Sequence, residues 1–147
     1  MRCEVVTQDR QLFVGEVDMV VAPGTEGMMG ILPNHAPLLT TLDFGELIVR
    51  HGDEEEIFAV AGGVMEVQPD AVVVLADSGE HVAEIDEGRA ENARRRAEEL
   101  LEQGPPPDTD EYLAIQASLR RSELRLSTAR KHRRKTPSMR IEGGSET

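Results

Sequence analysis

The sequence predicts a β + α protein. An amino-terminal antiparallel β-sandwich or flattened barrel spans residues 1–85, an antiparallel two-helix hairpin spans 86–135, and a tail spans 136–147. Two observations point there. Up to about residue 85, short apolar runs alternate with polar residues and are punctuated by Gly and Pro; beyond it, apolar residues recur at helical spacing. The charge changes at the same place. Residues 1–86 carry three basic groups (Arg2, Arg10, Arg50) against 17 acidic ones, whereas residues 87–147 carry 13 against 11.

The strand-like runs follow in order: Cys3–Val5, Leu12–Val14 and Val17–Val21, closed by Pro23-Gly24, then Gly30–Leu32, Pro37–Leu39 and Leu47–Val49. His51-Gly52-Asp53 reads as a hairpin turn. Ile57–Ala61, the Gly62-Gly63 break and Val64–Val67 come next. Pro69-Asp70 is a second tight turn, and Ala71–Leu75 is a nearly unbroken apolar run. Strands spaced by about 8–12 residues indicate a sandwich or barrel. The longest apolar runs are expected to be central strands covered on both sides.

Asp86 stands where an N-cap accepts backbone N–H bonds, ahead of Ala90, Ala93, Ala97 and Leu100-Leu101 on one helix face. Glu91–Arg95 and Arg94–Glu98 are i,i+4 pairs expected on the outer faces. Gly104 is a natural C′ residue, and Pro105–Pro107 cannot continue the helix. Asp108 and Glu111 have capping-box spacing before the stripe Tyr112, Ile115, Leu119, Ser122, Leu126, Ala129. A basic run, Arg130–Lys135, follows.

Of the 147 residues, 39% are hydrophobic, which supplies a core and excludes a wholly disordered chain. No stretch approaches the roughly 20 apolar residues that span a bilayer. The start has no apolar leader region, and the single Cys3 suits a reducing compartment, so a cytoplasmic location is expected. With a net charge of −12 and three per cent aromatic residues, nucleic acid is not an expected partner.

The search for chemistry returns little. His35, His51, His81 and His132 lack paired metal-ligand spacing, so no metal site is expected. His35 is a ligand or base on one reading, and on the preferred one a loop histidine with a structural or partner contact. Gly24, Gly27 and Gly30 resemble a phosphate cradle, but no P-loop lysine follows, and a folded loop is the better reading. No acid/base or nucleophile constellation emerges, so no catalytic residue is assigned.

Two segments carry identity. The run Gly27-Met28-Met29-Gly30-Ile31-Leu32-Pro33-Asn34-His35-Ala36-Pro37-Leu38-Leu39-Thr40 resembles the hallmark loop of the epsilon subunits of F-type ATP synthases. Phe13-x-Gly15-x-Val17, Val20-x-x-Pro23-Gly24, Phe58–Val64 and Ile85-Asp86-Glu87-Gly88-Arg89-Ala90 fit the same family in order and spacing. The resemblance covers residues 1–135.

It implies a non-catalytic rotor subunit of the central stalk that couples proton flow to ATP synthesis. The sandwich grips the gamma subunit and rests on the c-ring, with Glu26, Gly27, Met28, Gly30 and His35 as contact candidates; many members carry an acidic residue at the place of Met28. Membrane association then runs only through the complex, at the cytoplasmic face. In members that bind ATP as a regulator rather than as a required cofactor, a signature at the first helix acts with arginines from both helices. Here it corresponds to Ile85, Asp86, Arg89 and Ala90, with Arg96, Arg121 and Arg125, and with Glu80 as an additional candidate. Convergent guanidiniums neutralise a polyphosphate. An extended hairpin would carry Arg120, Arg121, Arg125, Arg130, Lys131, Arg133 and Arg134 toward the catalytic beta and alpha subunits and oppose ATP hydrolysis. Two other classes stay open at this point: a stand-alone nucleotide-sensing module, and an enzyme using the sandwich as scaffold.

Overall fold

The computed structural model describes residues 1–104 and 108–133, so Pro105–Pro107, Arg134, Lys135 and the tail lie outside the described residues. The chain divides into two units after His81. The sequence put that change at residue 85; a single 3-10 turn, Val82–Glu84, falls with the helical unit instead.

The first unit holds β1 (Arg2–Val6), β2 (Gln11–Glu16), β3 (Met19–Gly24), β4 (Gly27–Ile31), β5 (Leu38–His51), β6 (Glu54–Gln68), β7 (Ala71–Ala76) and β8 (Gly79–His81). They lie in the order β2-β1-β7-β6-β5-β3-β4, and β8 also pairs with β6. The β-sandwich expected from the sequence is therefore present, and its pairs are antiparallel with one exception. β1 runs parallel to β7, with Cys3 beside Val72 and Val5 beside Val74. Such a pairing joins opposite ends of the unit and leaves no mark on local periodicity.

β5 and β6 are longer than the punctuation suggests. The runs separated by Gly62-Gly63 are one strand, because both glycines sit inside it at φ 83° and 137°. There the neighbouring line changes from β7 to β8 without losing register: Gly63 faces Ala76, Asp77 N–H donates to the Gly62 carbonyl (3.0 Å), Ala61 N–H donates to the Ser78 carbonyl (2.9 Å), and Val60 faces Gly79. A left-handed pair in mid-strand turns the strand direction without ending the ladder.

Phe58, Leu47, Met65, Val5, Val20 and Ile31 lead the core. Ile57 through Gly62 are buried consecutively, as expected for a strand covered on both sides. Ala71–Leu75 is not. Val72 and Val74 are buried, but Leu75 is 52% exposed, so this apolar run has one open face. Cys3 is fully buried in β1, and burial, helped by the charge of Glu4, pushes its thiol up to about 12.

The second unit contains α1 (Glu87–Glu102) and α2 (Thr109–Arg133). Asp86 is the N-cap: it is extended, and its carboxylate accepts from Arg89 N–H at 3.1 Å. Gly104 ends the turn at φ 92°, as a C′ glycine does. Asp108 caps α2 by accepting from Asp110 N–H at 2.9 Å. The two helices pack antiparallel, Arg130 near the end of α2 reaching Glu87 in the first turn of α1. Their buried residues are Ala90 and Ala97 on α1, and Ser122, Leu126, Thr128 and Ala129 on α2. A buried CH₂-sized group contributes only about 0.8 kcal/mol, so α1 adds little apolar stabilisation per turn.

The mid-strand glycines give a direct test. A Cβ on Gly63 would lie 2.3 Å from the Leu75 carbonyl oxygen, a backbone atom that cannot swing away, while one on Gly52 (φ 60°) meets nothing within 4 Å. Gly63→Ala is expected to lower denaturant-measured stability by about 3 kcal/mol or more. Gly52→Ala should cost only the left-handed penalty of about 1–2 kcal/mol.

Candidate functional site

On α1, Arg89, Asn92, Ala93 and Arg96 are spaced by three, four and seven residues and so share one face. Arg125 comes in from α2, and these five side chains line a cleft of about 480 Å³ between the helices. The lining contains three guanidiniums and no carboxylate. Neither Arg89 nor Arg96 forms a side-chain ion pair with any of the described residues. Guanidiniums gathered at an open cleft offer charge-assisted hydrogen bonds to an anion.

The other residues singled out from the sequence take different places. Asp86 holds the helix start, Ile85 and Ala90 are buried, and none of the three lines the cleft. Arg121 is exposed on α2, one turn before Arg125 and outside the lining. Glu80 belongs to β8 in the first unit, paired with Ala59 of β6. Arg120 and Lys131 are exposed, Arg133 closes α2, and Arg134 lies outside the described residues. Asn92 and Ala93 were missed; projecting α1 around Arg89 would have found both.

The opposite side of the helix pair is self-neutralised. Glu91 accepts from Arg94, lies 3.6 Å from Arg95 Nε and lies 3.5 Å from Arg130 Nη2 of α2. Arg94 also binds Glu98 at 2.7 Å, and Arg130 Nε is 3.5 Å from Glu87. The i,i+4 pairs expected on outer faces are therefore formed, but Glu91 is turned into the seam. Its side chain is only 23% exposed and lies 3.5 Å from Arg130 of α2. The hydrogen bond from Arg94 holds the Glu91 carboxyl below the usual carboxylate range, against partial desolvation and with help from the charges of Arg94, Arg95 and Arg130.

A second candidate region lies on the first unit. β3 and β4 form a tight hairpin whose turn is Thr25-Glu26, with Gly27 at φ 132° and Met28 60% exposed. The Gly24/Gly27/Gly30 spacing thus serves a hairpin and not a phosphate cradle. A Cβ on Gly30 would meet the Met19 methyl at 2.7 Å. In the loop after β4, Asn34 takes φ 69° and its N–H donates to the Pro69 carbonyl at 2.7 Å. His35 Nδ1–H donates to the Ala36 carbonyl at 2.7 Å, which fixes the ring and leaves Nε2 for another contact. Leu32 (56%), Leu38 (36%) and Leu39 (70%) are exposed apolar residues that flank this loop.

Comparison with known proteins covers both units. Residues 1–82 match the family model described as "ATP synthase, Delta/Epsilon chain, beta-sandwich domain", and residues 83–130 match the one described as "ATP synthase, Delta/Epsilon chain, long alpha-helix domain". A protein of Dehalococcoides mccartyi named "ATP synthase epsilon chain" is 48% identical over 140 residues, covering 91% of this chain and 95% of its own. One of the same name from Acidithiobacillus ferridurans is 47% identical over 129 residues, covering 88% and 90%. Among solved structures, a chain of the Euglena gracilis mitochondrial ATP synthase superposes with a TM-score of 0.68 at 22% identity, over 82% of this chain and 76% of that one. A chain in the central stalk/c-ring structure of the Tetrahymena thermophila mitochondrial enzyme reaches 0.61 at 13% identity, over 87% and 95%. At those identities the likeness is one of fold.

The Glu91 cluster predicts a pH response. A carboxyl held low in the folded state contributes stability above its unfolded value of 4.5, and that contribution is lost as pH falls through and below 4.5. Lowering pH from about 5.5 to about 3.5 should therefore depress the helical melting transition of the native sequence more than that of Glu91→Gln, as read by far-UV circular dichroism. Equal slopes for the two proteins would contradict the assignment.

Proposed function

Since the chain belongs to the delta/epsilon family of ATP synthase subunits, we propose that it acts as the non-catalytic epsilon subunit of the central stalk, coupling rotation to ATP synthesis and restraining ATP hydrolysis through its helices. The observation that carries this reading is the match of both units, in order, to the two domains of that family. None of the described helices is long and apolar enough to cross a membrane. Attachment at the cytoplasmic face then runs through the other subunits.

The open face of the sheet supports a large protein contact. Val6, Leu75 and Val64 lie side by side across β1, β7 and β6, and Val14 stands 43% exposed on β2. An apolar row on a rigid sheet suits a permanent partner that must stay attached under torque, here the gamma subunit. The β3–β4 hairpin and the loop after it present Glu26, Met28, Leu32 and His35. That mixture of one carboxylate, one imidazole and apolar tips suits the polar loops of a c-ring. With Met28 where many relatives carry an acid, Glu26 supplies the charge.

Regulation follows from the helix pair. The cleft of Arg89, Arg96 and Arg125 would take the polyphosphate of ATP, with Arg121 turning in from the adjacent turn. A bound anion joins α1 to α2 and keeps the hairpin closed, which permits turnover. Without it, the thin alanine contact yields. α2 then swings its basic residues, Arg120, Arg121, Arg125, Arg130, Lys131, Arg133 and Arg134, toward acidic surfaces of the catalytic alpha and beta subunits.

Two measurements test these parts separately. Truncation after Gly104 should raise ATP hydrolysis by the assembled enzyme several-fold; an unchanged rate ends the inhibitory role. In calorimetry on the full chain, ATP should bind, and Arg89→Ala with Arg125→Ala should weaken it at least tenfold, about 1.4 kcal/mol. Absence of heat from the native sequence at millimolar ATP removes nucleotide sensing while leaving the rotor role intact.

A further inference from the structure

We propose that Glu91, with Glu87, forms an electrostatic catch on Arg130 that holds the helical hairpin shut at its open end. The acidic pair acts as an internal stand-in for the acidic surface that the basic end of α2 seeks when extended. The idea rests on the inhibitory reading given above and names the residues that set its resting state.

Position gives the catch its leverage. The helices are joined at the Gln103–Asp108 end, so opening separates most widely the far end, where the first turn of α1 meets the last turns of α2. Arg130 is there, 3.5 Å from both Glu87 and Glu91. Glu91 is in turn oriented by Arg94 and Arg95 on its own helix, and Arg94 is steadied by Glu98 and by the nearby charge of Glu123 on α2. The buried apolar residues of this unit are few: Ile85 just before α1, Ala90 and Ala97 on α1, and Leu126 and Ala129 on α2. A few ion pairs therefore decide the balance, where against a leucine-rich seam they would be negligible.

The two sides of the pair oppose each other. One carries Arg89, Arg96 and Arg125 around the cleft; the other carries the catch. Closing the hairpin satisfies Arg130 with carboxylates of its own chain, so an external acidic surface must compete for the same guanidinium. Release is then a substitution of partners and not a bare rupture, which lets modest contacts in the assembly move the hairpin.

Hydrogen exchange of the α2 amides between Leu119 and Arg130, measured on the full chain at low salt, tests the catch. Glu91→Gln should speed exchange about three- to tenfold, and Arg130→Gln similarly. The double variant should fall short of the sum of the two single effects, because Arg130→Gln already removes the contact to Glu91 along with that to Glu87. Glu99→Gln, the same charge change at an exposed position of α1, should leave exchange near the native rate. The gap between Glu91→Gln and the native chain should narrow in high salt, where exposed charges are screened. Exchange in Glu91→Gln no faster than in Glu99→Gln, or fully additive effects in the double variant, would overturn the proposal. In the assembled enzyme, Glu91→Gln should hydrolyse ATP more slowly than the native complex. Faster exchange with unchanged hydrolysis would keep the catch and discard the inhibitory reading.

Discussion

The constraint on which the rest depends is the composition of one helix face. α1 meets α2 through alanine, so the hairpin gains its closed state from a thin apolar contact supplemented by ion pairs. An alanine seam brings the backbones close but removes little area from water, leaving the open and closed states within reach of a ligand or partner. The arrangement of charge follows from this. Three guanidiniums gathered at one cleft make closing responsive to an anion, and the Glu87–Glu91–Arg130 group on the other side makes it responsive to competing acidic surfaces. A leucine stripe in place of Ala90, Ala93 and Ala97 would silence both.

The sandwich obeys the opposite requirement. β5, β6 and the β7–β8 line keep their register through the Gly62-Gly63 bend, so two layers are tied by continuous strands and not by loops alone. That continuity makes the unit stiff, and stiffness is what the proposed rotor role would require. The cost is an absolute dependence on glycine at residue 63, where the Leu75 carbonyl already occupies the space of a side chain. The surfaces offered to partners then lie on a fixed frame: the apolar row through Leu75 on the sheet, and Met28, Leu32 and His35 at the β3–β4 end.

Much of this was legible in the sequence, and the failures have physical causes. Alternation located the strands, and His51-Gly52-Asp53, Pro69-Asp70, Asp86 and Gly104 marked turns and caps through chemistry that acts over a few residues. The parallel β1–β7 pair could not be read, because it joins segments some seventy residues apart and depends on no local period. Gly62-Gly63 looked like a terminus, since a glycine pair punctuates far more often than it bends a strand. Leu75 appeared interior because hydrophobicity alone does not show which face a neighbour covers. In the helices the arginines were visible but their sides were not. Glu91 pairs with Arg95 on an isolated helix as well, and only the packing of α2 brings Arg130 to it. Arg89, Arg96 and Arg125 converge on one cleft, whereas Arg121 and Ala90, implied by the family resemblance, lie outside its lining.

The central claim, a hairpin closed by so little that charge decides its pose, is met most directly by single-molecule energy transfer between dyes on the first turn of α1 and the last turn of α2 in the full-length chain. Two exchanging populations are expected, with the short-distance one growing as ATP is added. A single short distance, unmoved by ATP or by salt, would contradict the account.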